Sequence, residues 1–169
     1  MREDATSHLL GTDNRYEDLV VGDVFRHARG KTITSFDNVF LTHLVMNTAQ
    51  GHFNEHIMEH TEFGTRITFG GIVASVVLGL ASQDTGEHAI AEIGLPSIRF
   101  RTPVVHGDTL YTYTKVIDKQ PPSEHSAGVF AGVVRLKHWG VNQRDDVVAE
   151  IEREVLVRCG APPANVATP

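Results

Sequence analysis

A strongly apolar stretch of the chain runs from Ile72 to Ala81 and follows two glycines, Gly70 and Gly71. Its apolar residues cover almost every side of a helix, which is typical of a helix enclosed by other structure. The β-branched residues would also fit a strand, but the stretch is long for a strand, and Gly86 is a suitable stop for a helix. The pattern therefore favours a central buried helix.

Alternating apolar and polar positions follow this helix and predict an antiparallel meander. Turn signals at Gly107-Asp108, Pro121-Pro122 and residues 142–145 separate its extended segments. The four segments are 89–102, 109–119, 127–139 and 146–158. A buried helix followed by such a meander predicts an α+β domain in which the antiparallel sheet wraps around the helix.

Two short helices are predicted between the first extended segment, which ends at Ile33, and the buried helix. Ser35 is a candidate N-cap for the first helix, over residues 35–46, and Asn54 is a candidate cap for the second. The first helix has apolar residues at helical spacing, namely Val39, Phe40 and Leu44. The polar residues 47–51 therefore lie on a connection between helices.

Length and composition indicate one domain. The 169 residues are 41% hydrophobic, which is enough for a sizeable core. We expect a flexible arm at 1–15, a single domain at 16–159 and a flexible tail at 160–169. No apolar run approaches the roughly 20 residues that cross a bilayer, and the first residues lack a signal-peptide pattern. A cytoplasmic protein with no membrane partner is therefore expected.

Charge and cysteine content exclude several classes of function. The formal net charge is −6, and the basic residues are scattered, whereas a nucleic-acid surface needs a concentrated positive stripe. The single cysteine, Cys159, excludes an internal disulfide and a cysteine-rich metal site, and packing is its simplest explanation. An anionic cofactor could still bind in a locally basic groove.

Two segments beside the predicted helix start carry a recognisable pattern, Asn47-Thr-Ala-Gln-Gly-His52-Phe-Asn54 and Phe63-Gly-Thr-Arg-Ile-Thr-Phe-Gly70-Gly71. Together with their spacing, they resemble the MaoC-like dehydratases and R-specific enoyl-CoA hydratases. The resemblance extends over roughly residues 16–158. It implies a hot-dog fold, with His52 as the motif histidine, Asn54 at the acidic position that follows it, and Gly70 as the glycine that opens the central helix.

The chain departs from the family pattern at the catalytic pair. Asn47 stands where the family has its catalytic aspartate, and Phe69 stands where it has a histidine before the helix glycine. Ala49 and Gln50 replace the motif asparagine and proline. An amide cannot act as a general base at neutral pH, but it can orient a water by hydrogen bonds. The acid/base pair of the family is therefore incomplete here.

The resemblance implies reversible addition of water to a 2-enoyl-CoA thioester, without a metal or redox cofactor. Hydration needs a base for the water at C3, an acid at C2, and donors to the thioester oxygen. His52 is the best base or acid because imidazole titrates near working pH. Asn47 would position the water. A backbone N–H of Gly70 or Gly71, at the positive end of the helix, would be the oxyanion donor.

Within this group the chain is most similar to the mesaconyl-CoA or methylmalyl-CoA hydratase branch. That similarity implies a short branched dicarboxylic acyl-CoA as the partner. Arg66, Arg99 or Arg101 could then bind the free carboxylate or CoA. An ordinary solvated charge is the alternative for each arginine. The resemblance also implies a homodimer or higher homo-oligomer, in which the second chain could complete the site.

Other interpretations stay open. His52 could be a loop histidine that makes one hydrogen bond, and Gly70-Gly71 could be only a tight turn. A hot-dog thioesterase and a non-catalytic acyl-thioester binder are the alternative functions. His52, His56 and His60 recur every four residues, but a cap at Asn54 would leave His52 outside the helix, so no metal site is expected. Three nearby glutamates form a solvated face or replace the missing carboxylate, namely Glu55, Glu59 and Glu62.

Overall fold

Six strands in the described part of the chain form one antiparallel sheet in this computed structural model, which describes residues 14–125 and 128–160. The strands are β1 (Val24–Thr32), β2 (Ala89–Phe100), β3 (Thr109–Lys119), β4 (Ser123–His125), β5 (Val129–Val141) and β6 (Val147–Arg158). Their order is β1-β3-β5-β6-β2, and the short β4 pairs with β5. The α-helices of these residues are α1 (Ser35–Leu44), α2 (Glu55–Met58) and α3 (Gly70–Thr85).

The α+β architecture predicted from the sequence is confirmed. The four predicted segments of the meander are β2, β3, β5 and β6, with ends that differ by at most two residues. Strand β4 was missed because its three residues, Ser123–His125, are polar and exposed. Residues 1–13 and 161–169, which hold most of the predicted arm and tail, lie outside the described residues. No helix in the described ranges is long and apolar enough to cross a membrane.

Helix α3 is the predicted central helix, and it contacts all five long strands. Val77 on this helix is completely buried. Gly140 on β5 allows the close approach, because a Cβ there would lie 2.4 Å from Val77 Cγ2. Only a narrow strip of small residues on α3 is exposed, formed by Ser75, Gly79 and Ser82. The helix ends at Gly86, as predicted.

The core lies between α3 and the inner face of the sheet. Near the start of α3, Val73 packs in a cluster with Ile33, Val104, Leu110 and Ile151. Burying side chains of this size contributes about 1.5–3 kcal/mol each. Because Val73 follows the glycines that open α3 by two residues, this cluster fixes the position of the helix start. A second cluster fills the other end of the sheet, with Leu19, Phe25, Val116, Val134, Leu136, Val155 and Val157.

The predicted N-cap of α1 was wrong by one residue. Thr34 is the cap, and its hydroxyl accepts a hydrogen bond from the backbone N–H of Asp37 at 3.1 Å. Asp37 in turn accepts the backbone N–H of Thr34 at 2.8 Å, which completes a capping box. Ser35 is the first helical residue. The prediction for α2 is confirmed, since Asn54 caps it through the N–H of Ile57.

Helix α1 turns its polar side inward. Asn38 and Thr42 are completely buried, while Phe36, Phe40 and Leu44 are exposed. The rings of Phe36 and Phe40 stack on the outer side, with centroids 5.2 Å apart. Apolar spacing therefore predicted the helix correctly but not which side of it faces the domain.

A row of buried polar side chains crosses the sheet near the end of α3. His27 Nδ1 lies 2.5 Å from a carboxylate oxygen of Asp84, and its Nε2 lies 2.6 Å from the Thr114 hydroxyl. The same hydroxyl lies 2.7 Å from Nδ1 of His138. Burial lowers the pKa of His27, although the adjacent Asp84 acts against this shift, and burial lowers the pKa of His138 to about 3. Cys159 is also buried, which raises the pKa of its thiol to about 11.

Candidate active site

A pocket of about 230 Å³ opens beside the start of α3. Its wall is mostly apolar, with an imidazole and a guanidinium among the polar groups. This volume is below the roughly 300–1,000 Å³ of sites that enclose drug-sized ligands, so the pocket suits a short acyl group. It is lined by His52, Ile67, Thr68, Gly70, Val73, Phe100, Arg101, Thr102, Pro103, Val104 and Val148.

His52 ends a short 3-10 turn, Gln50–His52, and is partly buried. Its Nδ1 lies 3.0 Å from the carbonyl oxygen of Ile67. Because a carbonyl oxygen can only accept, Nδ1 carries a hydrogen, and in the neutral form of the ring the lone pair is therefore on Nε2. The ring lies against Phe69, with centroids 5.5 Å apart. The arrangement fixes the tautomer that a general base requires.

Gly70 and Gly71 form the first turn of α3, where backbone N–H groups have no acceptor within the helix. Gly70 lines the pocket together with His52, whereas Gly71 does not. A Cβ on Gly70 would lie 2.9 Å from the ring of Phe100, and one on Gly71 would lie 2.6 Å from the ring of Phe69. Both glycines therefore leave room for an aromatic ring close to the helix start. The N–H groups of this helix start favour negative charge beside the pocket.

Asn47 is not brought together with His52 and Gly70. It follows α1, and its side-chain oxygen accepts the backbone N–H of Ala49 at 2.9 Å. This contact is a local turn of the kind that asparagine commonly forms. Asn47 is absent from the residues that line the described pocket.

Of the three candidate arginines, the pocket includes only Arg101. Its Nε and Nη2 donate to one carboxylate oxygen of Glu150 at 2.8 and 2.6 Å, and the side chain is half exposed. Lys137 binds the other oxygen of Glu150 at 2.8 Å. Arg99 lies on β2 and is exposed. Arg66 instead forms an ion pair with Glu55 on α2.

Glu55 is held away from the pocket. Its two carboxylate oxygens accept hydrogen bonds from the hydroxyl of Thr65 and from Arg66. These hydrogen bonds lower the pKa of the Glu55 carboxyl. No carboxylate is among the residues that line this pocket in the described structure, so none of its lining residues replaces the aspartate of the family pattern.

The three histidines at four-residue spacing do not share one helical face. His52 precedes α2, whereas the rings of His56 and His60 contact each other with centroids 5.3 Å apart. Across residues 14–125 and 128–160, no group of three or more histidine, cysteine, aspartate or glutamate side chains is arranged to hold a metal ion.

Asn38 is a site residue that sequence reasoning missed. It is buried on α1 behind the pocket, and its amide contacts the backbone of His52, Ile67 and Phe69. These backbone partners are 14 to 31 residues away in the chain. The sequence feature that could have indicated this role is an asparagine inside a predicted helix. Asparagine is unfavourable there unless its amide has a specific partner.

Comparison with known proteins identifies related sequences. A sequence model of the family described as mesaconyl-CoA hydratase matches residues 3–159. A β-methylmalyl-CoA dehydratase of Chloroflexus aurantiacus is 31% identical over 109 residues, which cover 64% of this chain and 31% of that protein. A mesaconyl-CoA hydratase of Haloarcula marismortui is 30% identical over 134 residues, which cover 79% of this chain and 36% of that protein. The chain spans about a third of the length of these curated relatives.

A solved structure confirms the fold. The protein is from Mycobacterium tuberculosis and has a double hot-dog fold. It aligns with a TM-score of 0.80 and 23% sequence identity, over 94% of this chain and 47% of that one. The antiparallel sheet around α3 is therefore a hot-dog domain.

Proposed function

Because the chain belongs to the mesaconyl-CoA hydratase family, we propose that it is a hydro-lyase that adds water reversibly to a 2-enoyl-CoA thioester. The observation that carries this proposal is the joint position of His52 and Gly70 in one small pocket. The imidazole has its Nδ1 bound to a carbonyl, and the helix start offers backbone donors. Hydration needs both of these elements, a base and a site for the negative charge of an enolate.

The chemistry follows from this arrangement. Nε2 of His52 takes a proton from water as the water oxygen attacks C3, and the double bond electrons move toward the thioester oxygen. The N–H of Gly70 stabilises the enolate charge that develops there, aided by the positive end of α3. The imidazolium then returns a proton to C2. One histidine can perform both transfers in turn, which accounts for a pocket without a carboxylate partner.

The proposed substrate is a short branched or dicarboxylic 2-enoyl-CoA. The pocket volume favours a short acyl group, and Arg101 is the cation at its wall. A guanidinium binds a carboxylate through charge-assisted hydrogen bonds, and exchange of Glu150 for a substrate carboxylate keeps Arg101 paired. The nucleotide part of CoA would remain outside the pocket.

Arg101→Gln is expected to lower kcat/KM for mesaconyl-CoA by about 10- to 100-fold, since a charged hydrogen bond contributes about 1.5–3 kcal/mol. The value for crotonyl-CoA, which has no free carboxylate, is expected to change less than threefold. Arg99→Gln is the matched control, because Arg99 is exposed on β2 outside the pocket. An equal loss for both substrates would argue against a role for Arg101 in binding the carboxylate.

The function is tested by assaying the purified protein with mesaconyl-CoA and crotonyl-CoA while following two signals. Loss of the enoyl-thioester absorbance without release of free thiol is the result expected of a hydratase. Thiol release would indicate a thioesterase. Saturable binding with neither signal would indicate a non-catalytic acyl-thioester binder. The absence of a carboxylate from the pocket lining is compatible with this alternative.

A homodimer is part of the proposal. Strand β2 pairs only with β6 within the described residues, so its other edge offers backbone donors and acceptors to a further strand. Leu95, Ile98 and Phe100 on β2 are each at least 41% exposed. Phe100 also lines the pocket, so a second copy on this edge would cover its open side. Sedimentation with the mass of a single chain would contradict this assembly.

A further inference from the structure

Asn38 is completely buried, and its amide forms hydrogen bonds to three backbone groups. Its Nδ2 lies 2.9 Å from the carbonyl oxygen of His52 and 3.1 Å from that of Ile67. Its Oδ1 accepts the backbone N–H of Phe69 at 3.0 Å. Because two carbonyls can only accept and an N–H can only donate, the orientation of the amide is fixed.

Two weaker contacts complete the environment of this amide. The Thr42 hydroxyl donates to Asn38 Oδ1 at 3.4 Å, and Nδ2 lies 3.2 Å from Nε2 of His106. Burial lowers the pKa of His106, which favours the neutral ring and leaves a nitrogen able to accept. The amide therefore has partners on both sides, as a buried polar group requires.

The carbonyl of Ile67 is the point at which Asn38 and the imidazole meet. This one oxygen accepts both from Asn38 Nδ2 and from Nδ1 of His52. The opposite end of the same amide binds the N–H of Phe69, the residue directly before Gly70. A single side chain thus connects the carbonyl that sets the tautomer of His52 with the backbone that places the first donor of α3.

We propose that Asn38 is a positioning residue, which holds the imidazole of His52 and the start of α3 at a fixed separation and keeps the hydrogen of His52 on Nδ1. The effect of Asn38 on catalysis rests on the proposed hydration. Its effect on the tautomer of the His52 ring can be measured without any substrate. Other contacts keep the segment in place, since the N–H of Ile67 binds Gly51 and that of Thr68 binds Val104. Loss of the amide therefore changes orientation more than fold.

The test compares Asn38→Leu with Thr42→Val in the 169-residue chain. The leucine has the same branching and number of side-chain heavy atoms as asparagine but cannot bind the three backbone groups. The valine removes a hydroxyl one helical turn away and leaves those three contacts intact. Asn38→Ser is a second variant with the same expected direction, for use if the leucine variant does not fold.

The first readout is the nitrogen NMR spectrum of the histidine rings at a pH where they are neutral. The chain has ten histidines, and the His52 signals are identified by their loss in His52→Gln. Wild type and Thr42→Val are expected to show hydrogen on Nδ1 alone. The Asn38 variants are expected to show a mixture with the Nε2–H tautomer. An unchanged His52 spectrum in a folded Asn38 variant would overturn the proposal.

The second readout is steady-state hydration of a 2-enoyl-CoA. Misplacement by about 1 Å can cost 10²-fold in rate, so kcat of the Asn38 variants is expected to fall by about 10- to 100-fold. KM should change less than threefold, because Asn38 does not line the pocket. A rise in KM with an unchanged kcat would contradict a positioning role. Absence of hydration in wild type would refute the proposed function alone, and the ring spectra would still decide on Asn38.

Discussion

His52→Gln is expected to lower kcat for hydration of a 2-enoyl-CoA by about 10²- to 10⁴-fold, the range typical of losing a general acid/base. Glutamine retains hydrogen-bonding capacity but cannot exchange a proton near neutral pH. The thermal midpoint should change little, because His52 is only partly buried and its ring makes one hydrogen bond, to the carbonyl of Ile67. The measurement is the initial rate of enoyl-thioester absorbance loss at saturating substrate.

His60→Gln is the control for this substitution. Like His52, His60 lies between α1 and α3. It is exposed, and its Nδ1 lies 2.8 Å from the carbonyl oxygen of His56. It is outside the residues that line the pocket. Equal rates for His52→Gln and wild type would show that another group transfers the proton.

The second large effect is expected from Gly70→Pro compared with Gly70→Ala. Both substitutions place a Cβ against the ring of Phe100, but only proline removes the backbone N–H. Proline is well tolerated at the first position of a helix, and Phe69 has the extended ψ of 128° that a residue before proline requires. Losing one oxyanion donor costs about 10²- to 10³-fold in kcat, so the proline variant should be slower than the alanine variant by this factor.

The comparison of these two variants separates the backbone N–H from the shared Cβ. Both variants carry the Cβ that displaces Phe100, so their ratio reports the replacement of the N–H hydrogen by the proline ring. Circular dichroism checks that α3 persists in each. The same kcat in Gly70→Pro and Gly70→Ala would exclude the Gly70 N–H as the donor to the thioester oxygen.

The fold was predictable wherever a local pattern determined it. The apolar stretch in α3 and the alternation in β3, β5 and β6 reported burial directly, because these elements bury or half-bury most of their apolar positions. The apolar residues of β2 are instead largely exposed. Helix α1 shows where this reasoning fails. Its helical spacing was correct, yet Phe40 is 49% exposed while Asn38 and Thr42 are fully buried. Asn38 faces inward because backbone groups of residues 52–69 form hydrogen bonds with its amide. The spacing of apolar residues within α1 contains no information about such distant partners.

The site was predictable only in part, for the same reason. His52 and Gly70 were found because a family pattern places them, and the structure brings both to one pocket. Phe100, from β2, was not foreseen as a pocket wall, since its contact with Gly70 depends on how the sheet passes the start of α3. Asn47 was assigned by its place in the motif alone, and its side chain binds Ala49. Its proposed role in positioning water remains a prediction.

The central claim is that the pocket adds water to C3 of a 2-enoyl-CoA, and a reaction in ¹⁸O-labelled water tests it most directly. Purified protein is incubated with mesaconyl-CoA or crotonyl-CoA, and the acyl products are analysed by mass. Incorporation of one ¹⁸O atom as a hydroxyl in an intact thioester, lost in His52→Gln, is the predicted result. Label found only in a free carboxylate, with release of CoA, or no incorporation despite saturable binding, would contradict the claim.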